Sequence, residues 1–274
     1  MSPDHRGEAF YRIKRQPSDC VQVVYVTILD DGVIPPDGRL FDHCILEGLK
    51  ALRIWHDTTW RWLEFTPDEK RMLRVQEDRA LPHKLPEAIV SDGLPRYDLL
   101  SLPRTSYLWR SITCPVCIDD IDYIVKFQVH PFWFHSIVNE VLIYHEFMAR
   151  EITMVPKFVG HVYEEEPSRV VGFLCEYIAG RQATTDDFEL CKTALQRLHE
   201  HGSYHGDIHG GNILTLPDDE VKFIDFGSTK FAGTYLDPRI ALNSEELSLK
   251  MDKELKESHE SLNNKYIEEC SRGR

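Results

Sequence analysis

Two aspartates and an asparagine in the last third of the chain have side chains suited to phosphate transfer. Asp207 and Asn212 lie in HGDIHGGN at residues 205–212, and Asp225 lies in IDFG at residues 224–227. Phosphoryl transfer requires mainly that the acceptor hydroxyl is positioned, that metal ions are held and that phosphate charge is offset. Asp207 could orient or deprotonate that hydroxyl, while Asn212 and Asp225 offer the oxygen ligands that Mg²⁺ prefers. We therefore predict Asp207 and Asn212 as catalytic residues and Asn212 and Asp225 as metal ligands.

The two stretches together resemble the protein-kinase-like superfamily. In that superfamily a metal-binding Asp-Phe-Gly follows the Asn of the catalytic loop by thirteen residues, which is the separation of Asn212 and Asp225. The pattern HGDxHxxN, with His209 two residues after Asp207, is closest to the aminoglycoside phosphotransferase and choline kinase branch, whose members phosphorylate small molecules. His209 is counted with the catalytic residues. Either it contacts the reacting groups directly or it braces the loop by hydrogen bonds.

The resemblance implies a lysine that binds the nucleotide phosphates and a glutamate that orients it. Lys126, in the stretch YIVKFQV, is the only lysine in an apolar strand ahead of the following helix. A buried ammonium requires a partner carboxylate. Glu140 and Glu146 both lie on the predicted helix, and Glu140 is preferred because NE followed by IYHEF looks like the family's helix. We therefore predict that Lys126 and Glu140 serve ATP binding.

The stretch FLCEYIAG at residues 173–180 resembles the hinge between the two lobes of such enzymes. There, main-chain groups bind the adenine edge and apolar neighbours cover the ring faces. By position, Glu176 would offer its C=O and Ile178 its N–H and C=O, with Cys175 at the rear of the pocket. The predicted cofactors are ATP and Mg²⁺, and Glu176, Ile178 and Asp225 join the cofactor-binding residues.

Two features depart from the protein-kinase pattern. The Gly-rich loop that covers the phosphates is absent, because LSLPRTSYLW, where it would lie, contains no glycine. Backbone N–H groups, or Ser101, Arg104, Thr105 and Ser106, are alternative phosphate contacts. Gly206 replaces the Arg that senses a phosphorylated activation loop in many protein kinases, so control by that route is not expected.

The elements around these motifs are predicted in the order strand, strand, helix, strand, helix and two short strands. The strands come from TSYLWRSI, DYIVKFQV and VVGFLCEYIAG, and the first helix from SIVNEVLIYHEFMARE. The second helix, DDFELCKTALQRLHEHG, is expected to begin with an Asp186 and Glu189 capping pattern and to end at Gly202. The two short strands come from NILTL and EVKFID.

We expect an α+β, two-lobed protein-kinase-like fold with a reduced C-terminal lobe and an N-terminal extension. Residues 1–95 form the extension, which contains the β-branched strand VQVVYVTIL and apolar positions at helical spacing from Phe41 to Trp55. Residues 96–180 form the N-lobe with the hinge, and residues 181–274 form the reduced C-lobe, which ends in a charged helix from about residue 243.

Composition limits the classes of partner and compartment. A net charge of -13 repels a phosphate backbone, so nucleic-acid binding is disfavoured, although a local basic face is not excluded. VQVVYVTIL is far too short to cross a membrane, and seven cysteines without regular spacing are typical of reduced cytosolic thiols. CPVC at residues 114–117 is predicted to form a hairpin turn rather than half a zinc site. We expect a cytoplasmic protein with a small-molecule substrate and no membrane association; the sequence does not predict its oligomeric state.

The motifs predict an ATP-dependent phosphotransferase that moves the γ-phosphoryl group to a hydroxyl of a small molecule. Three alternatives are left open: a minimal protein kinase, a nucleotide-binding pseudokinase or scaffold, and a kinase-fold enzyme repurposed for nucleotidyl or tRNA-dependent aminoacyl transfer. Intact Lys126, Asp207, Asn212 and Asp225 argue against a pseudokinase, and the missing Gly-rich loop argues for one.

Overall fold

A computed structural model describes residues 9–16, 21–67, 73–78, 83–103, 112–231 and 245. Within those ranges the chain forms three α-helices, which are α1 Asp42–Lys50, α2 Phe134–Ala149 and α3 Phe188–Glu200. The strands are β1 Ala9–Arg15, β2 Gln22–Ile28, β3 Trp62–Pro67, β4 Leu73–Glu77, β5 Arg96–Asp98, β6 Thr113–Ile118, β7 Ile121–Phe127, β8 Phe158–Tyr163, β9 Val170–Glu176, β10 Arg181–Gln182, β11 Ser203–Tyr204, β12 Ile213–Thr215, β13 Val221–Phe223 and β14 Lys230–Phe231. The predicted α+β class is confirmed, and sheets with few helices fit a kinase-like domain. The two-lobed arrangement, the N-terminal extension and the domain boundaries stay predictions.

The first part of the chain forms a four-stranded sheet in the order β1-β2-β3-β4. Strands β1 and β2 pair antiparallel, as do β3 and β4, whereas β2 and β3 run parallel. A parallel pair needs a crossover connection, and α1 supplies it between β2 and β3. The predicted strand VQVVYVTIL is β2, whose six residues from Val23 to Ile28 are all buried because both faces of this central strand are covered.

A second sheet has five strands in the order β5-β8-β9-β7-β6. Three predicted elements are confirmed around it, since DYIVKFQV gives β7, VVGFLCEYIAG gives β9 and SIVNEVLIYHEFMARE gives α2. The strand predicted from TSYLWRSI falls almost entirely on residues 104–111, outside the described residues, as does all of the predicted C-terminal helix except Glu245.

The chain divides into two compact units, and the first comprises Met1–Cys114, Phe127–Phe134 and His161–Gly172. Its apolar core lies between the first sheet and α1, with Val24, Val26 and Ile28 of β2 packed in one cluster with Ile45 and Leu49. The other side of β2 carries Tyr25, which stacks between Phe10 of β1 and Trp62 of β3 with centroid distances of 5.8 Å and 5.6 Å.

The second unit comprises Pro115–Lys126, His135–Gly160 and Phe173–Arg274. Aromatic rings from α2 fill its core, since Tyr144 and Phe147 both contact Phe226 and Tyr144 also contacts Phe173. Helix α3 buries a stripe at helical spacing that includes Cys191, Leu195 and Leu198. Burial of this apolar face offsets the conformational entropy that is lost when the helix forms. Gly202 ends the helical segment with φ +71°, as predicted.

Two local predictions were wrong in position. The capping box ahead of α3 uses Thr184 and Asp187 rather than Asp186 and Glu189, because a 3-10 turn over Thr185–Asp187 precedes the helix. CPVC lies inside β6, and the turn of the β6–β7 hairpin falls on Asp119 and Asp120, whose φ angles are +50° and +61°. Consecutive left-handed residues match the twist of a tight hairpin, which explains why the turn is there.

Candidate functional site

Lys126, Glu140 and Asp225 form a compact ion cluster in the second unit. The Lys126 Nζ lies 2.6 Å from Glu140 Oε2 and 2.8 Å from Asp225 Oδ1. Lys126 comes from the end of β7, Glu140 from the second turn of α2 and Asp225 from the loop after β13. The predicted pairing of Lys126 with Glu140 is therefore present, and its role in nucleotide binding stays a prediction. The competing candidate, Glu146, pairs instead with Arg150 on the exposed side of α2.

Burial and charge act against each other in this cluster. Burial alone would lower the pKa of Lys126, but the two carboxylates outweigh it and the pKa is raised, so the ammonium stays charged. Burial would raise the pKa of Asp225, but Lys126 outweighs it and the pKa is lowered. Burial raises the pKa of Glu140, which Lys126 and the Phe226 N–H only partly offset. Asp225 is therefore ionised, and 52% of its side chain is exposed.

The loop with Asp207 and Asn212 is held by its own hydrogen bonds. The Asn212 side-chain N–H donates to the Asp207 C=O at 3.0 Å and to its carboxylate at 3.2 Å. Asn212 is buried, whereas the Asp207 side chain is 56% exposed and therefore open to solvent. The Ile224 N–H donates to the Asn212 C=O at 3.0 Å, and β12 pairs antiparallel with β13. This hairpin brings Asn212 and the segment leading into Asp225 to the same end, as predicted.

His209 braces the loop through its ring. Its Nδ1 accepts the Gly211 N–H at 3.1 Å, so the ring proton of the neutral imidazole lies on Nε2. Nε2 is 3.9 Å from Asp207 Oδ2, beyond hydrogen-bond distance. A Cβ on Gly211 would lie 2.9 Å from His209 Cε1, so this ring position requires glycine at 211. The bracing contact is present, and direct participation in the reaction stays a prediction.

The backbone conformation at residue 206 requires a glycine. In the sequence, Gly206 was notable only because it stands where many protein kinases have an Arg. Its φ is +81°, and a Cβ at this position would lie 2.3 Å from the Ser228 carbonyl oxygen. The loop before Asp207 and the loop after Asp225 therefore approach each other too closely for any side chain at residue 206.

Sequence reasoning missed three residues that hold these two loops. The buried Glu245 accepts a hydrogen bond from the Gly206 N–H, and its second oxygen lies 2.7 Å from His199 Nε2 at the end of α3. Asn139, next to Glu140 on α2, donates from its side chain to the Gly227 and Thr229 carbonyls at 2.9 Å and 3.3 Å. No motif marks Glu245. For Asn139 the only signal was its place beside Glu140.

The predicted hinge, residues 173–180, overlaps the end of β9, whose last residue is Glu176. The Glu176 N–H donates to the Lys157 C=O at 2.9 Å, and its carboxylate accepts the Lys157 N–H at 3.1 Å, so this residue is fixed at both ends. Among the described residues, neither the N–H nor the C=O of Ile178 has a backbone hydrogen-bond partner. Burial raises the pKa of the Cys175 thiol to about 12, which leaves it an apolar, unreactive wall. A Cβ on Gly180 would lie 3.1 Å from the Thr215 C=O, the crowding that glycine avoids there.

One of the four side chains predicted as alternative phosphate contacts lies in the described residues. Arg104, Thr105 and Ser106 lie outside the described residues. Ser101 is described, and its hydroxyl donates to Asp98 Oδ2 at 2.6 Å within the first unit.

The side chains present fit Mg²⁺ as part of a nucleotide complex. The Asn212 side-chain N–H is used within the loop, which leaves its Oδ1 as an oxygen donor, and Asp225 supplies an ionised carboxylate. Within the described part of the chain, no group of three or more His, Cys, Asp or Glu residues is arranged to hold a metal ion. Mg²⁺ commonly takes one or two protein oxygens and completes its shell with phosphates and water, so two donors are sufficient.

A comparison with models of protein families finds a similarity over part of the chain. Residues 178–259 match the family model of the ABC1 atypical kinase-like domain, less than a third of the chain. This match supports the resemblance to the protein-kinase-like superfamily and suggests kinase-like activity. It covers Ile178, Asp207, His209, Asn212 and Asp225 but neither Lys126 nor Glu140. No curated protein matches the chain. In the described ranges, no helix combines the length and apolar character that a membrane crossing requires.

Proposed function

We propose that this chain is an ATP-dependent phosphotransferase that moves the γ-phosphoryl group to a hydroxyl of a small molecule. The observation that carries the proposal is the ion cluster of Lys126, Glu140 and Asp225, in which one ammonium is held between a buried carboxylate and a half-exposed one. Such an arrangement places a fixed cation for phosphate oxygens beside a fixed anion for a metal ion.

The residues divide the work as follows. Lys126, oriented by Glu140, would bind the nucleotide phosphates, and Asn212 with Asp225 would hold Mg²⁺, which would offset the phosphate charge. The Ile178 main chain and the Glu176 C=O bind the adenine edge. Asp207 orients the acceptor hydroxyl and receives its proton.

A small acceptor is favoured by the HGDxHxxN pattern, which resembles the aminoglycoside phosphotransferase and choline kinase branch. His209 is held with its Nε2–H on the side of Asp207, where it can donate to an acceptor or a phosphate oxygen. The net charge of -13 favours a small or cationic acceptor over a nucleic acid.

Product analysis tests the proposal. Purified protein is incubated with ATP, Mg²⁺ and a metabolite extract, and the release of ADP, AMP and pyrophosphate is measured together with the masses of new products. The proposal expects acceptor-dependent ADP release and a phosphorylated metabolite. Release of AMP or pyrophosphate would instead indicate a repurposed transfer, and nucleotide binding without turnover would indicate a pseudokinase.

Two variants sharpen that experiment. Asp207→Asn removes the proton acceptor alone, so turnover should fall by roughly 10²–10⁴-fold while Mg-ATP binding is retained. Asp225→Asn should damage metal-dependent nucleotide binding as well. Acceptor-dependent ADP release that survives Asp207→Asn undiminished would contradict the mechanism.

A further inference from the structure

Asn139 holds the segment that follows Asp225 at two points. Its side-chain nitrogen donates to the Gly227 C=O at 2.9 Å and to the Thr229 C=O at 3.3 Å. Both acceptors are backbone groups, so the contact fixes the path of the chain rather than one side chain. Helix α2 therefore holds residues 227–229 through Asn139.

The neighbouring residue of α2 holds the same segment from its other end. Glu140 Oε1 accepts the Phe226 N–H at 3.2 Å, while Glu140 Oε2 faces Lys126. Immediately before these attachments, Asp225 has φ +67°, a left-handed conformation that costs a non-glycine residue about 1–2 kcal/mol. Such a conformation persists only where its surroundings over-determine it, and residues 139 and 140 supply that constraint.

The held segment is also joined to the loop before Asp207. The Thr229 hydroxyl donates to the His205 C=O at 2.9 Å, and Thr229 and His205 are both fully buried. The His205 Nε2 in turn lies 2.9 Å from the Ile224 C=O. These bonds tie the loop with Asp207 to the loop with Asp225 without any phosphorylated residue.

We propose that Asn139 is a positioning residue that holds Asp225 in the arrangement assigned to metal binding. This inference rests on the proposed function, because the arrangement that Asn139 maintains is the one assigned to Mg-ATP. Asn139 touches neither nucleotide nor acceptor and acts through the backbone of residues 227–229.

The test compares Asn139→Ala and the isosteric Asn139→Asp with Glu146→Gln, an exposed position on the same helix. Two quantities are measured: amide hydrogen exchange in residues 224–231, and ATP affinity with and without Mg²⁺. Loss of the two hydrogen bonds should speed exchange in this segment by about tenfold and weaken Mg-ATP binding by about tenfold. Affinity for ATP without Mg²⁺ should change by less than about twofold, a split that general destabilisation would not produce. Glu146→Gln should match the parent.

The outcomes separate this inference from the proposed function. If the parent binds Mg-ATP but both Asn139 variants keep parental exchange and parental Mg²⁺ dependence, the positioning role is wrong and the proposed function stands. Equal weakening of ATP binding with and without Mg²⁺ would also overturn the positioning role. If the parent binds no Mg-ATP, the proposed function fails. If hydrogen exchange in residues 224–231 is also unchanged in the variants, Asn139 does not hold this segment.

Discussion

Two ion clusters, one in each compact unit, differ in their balance of charge. In the first unit, the Glu164 carboxylate accepts hydrogen bonds from Arg12, from Arg169 and from the Tyr25 hydroxyl. One anion there meets two cations. In the second unit, one cation, Lys126, meets the two carboxylates of Glu140 and Asp225.

The clusters differ equally in their access to solvent. The Glu164 side chain is 0% exposed and its arginines are 16% and 12% exposed, so every member of that cluster is enclosed. In the Lys126 cluster, Asp225 is half exposed. A closed cluster has no room for a ligand and holds structure. An open cluster with surplus negative charge beside a fixed ammonium can take up a divalent cation together with phosphate, which is the chemistry proposed for it.

The closed cluster should show the largest effect on stability. Glu164→Gln leaves Arg12 and Arg169 buried without their anion, so the free energy of unfolding should fall by about 3–5 kcal/mol. Urea denaturation of the parent and variant measures the change. The neighbouring Glu165→Gln is the control, because that carboxylate pairs with a partly exposed Arg61 and a Gln oxygen still accepts the Val23 N–H, so the variant should cost less than about 1 kcal/mol. Similar costs for the two variants would contradict the structural role assigned to the closed cluster.

The open cluster should instead control ligand-dependent stability. Mg-ATP at a hundredfold excess over its dissociation constant should stabilise the parent by about 2.7 kcal/mol. Lys126→Met should abolish that gain, because the phosphates lose their cation. Lys222→Met, in β13 and bonded to the Thr153 C=O, should keep it. Differential scanning fluorimetry with and without nucleotide makes the comparison, and a full shift in Lys126→Met would count against the site.

Acid should change the stabilising contributions of Glu164 and Glu140 in opposite directions. The pKa of Glu164 in the folded state is lowered by its arginines, whose effect outweighs that of burial. The Glu164 carboxylate therefore stabilises the fold fully above pH 4.3 or so, the ordinary pKa of about 4.3 for a glutamate, and this stabilisation is lost as the pH falls through the lowered folded-state pKa. The pKa of Glu140 is raised by burial, so protonation of this residue on acidification favours the folded state. When denaturation is measured between pH 7 and pH 3, the free energy of unfolding should fall less steeply with acidification for Glu164→Gln than for the parent. A steeper loss would reverse the assignment.

The smallest effect belongs to the exposed carboxylate on α2. Glu146 and Arg150 form an exposed pair four residues apart, with side chains 51% and 43% exposed. Glu146→Gln should change stability by less than about 0.5 kcal/mol and leave nucleotide binding unchanged. Glu140→Gln, measured in parallel, should weaken nucleotide binding because Lys126 loses its orienting anion. Equal behaviour of the two variants would mean that Glu140 does not serve Lys126.

The resemblance to the protein-kinase-like superfamily predicted much of the open cluster. It implies a strand lysine with a partner glutamate on the next helix. Lys126 is the only lysine in an apolar strand ahead of that helix, and Glu140 was preferred over Glu146 because NE followed by IYHEF looks like the family's helix. The closed cluster left no such signal. Arg12 and Glu164 are 152 residues apart, and nothing in the sequence near either residue indicates that they meet. Pairings at that distance depend on how the sheets pack, which single-sequence periodicity does not determine.

Small local errors had different causes. The capping box over Thr184 and Asp187 has a recognisable sequence pattern, but the 3-10 turn ahead of α3 placed it two residues earlier than the pattern chosen. The need for Gly206 was invisible, because the obstacle is the backbone of Ser228 from another loop. Asn139 was overlooked because its acceptors are carbonyl groups, which any sequence provides.

The most direct test of the account is the Mg²⁺ dependence of ATP binding in the parent, in Asp207→Asn and in Asp225→Asn, measured by isothermal titration calorimetry. The open cluster predicts that Mg²⁺ strengthens ATP binding to the parent and to Asp207→Asn, and that Asp225→Asn loses this gain while retaining weaker metal-free binding through Lys126. Parental binding that is indifferent to Mg²⁺, or a full Mg²⁺ gain in Asp225→Asn, would contradict the assignment of this cluster as the Mg-ATP site.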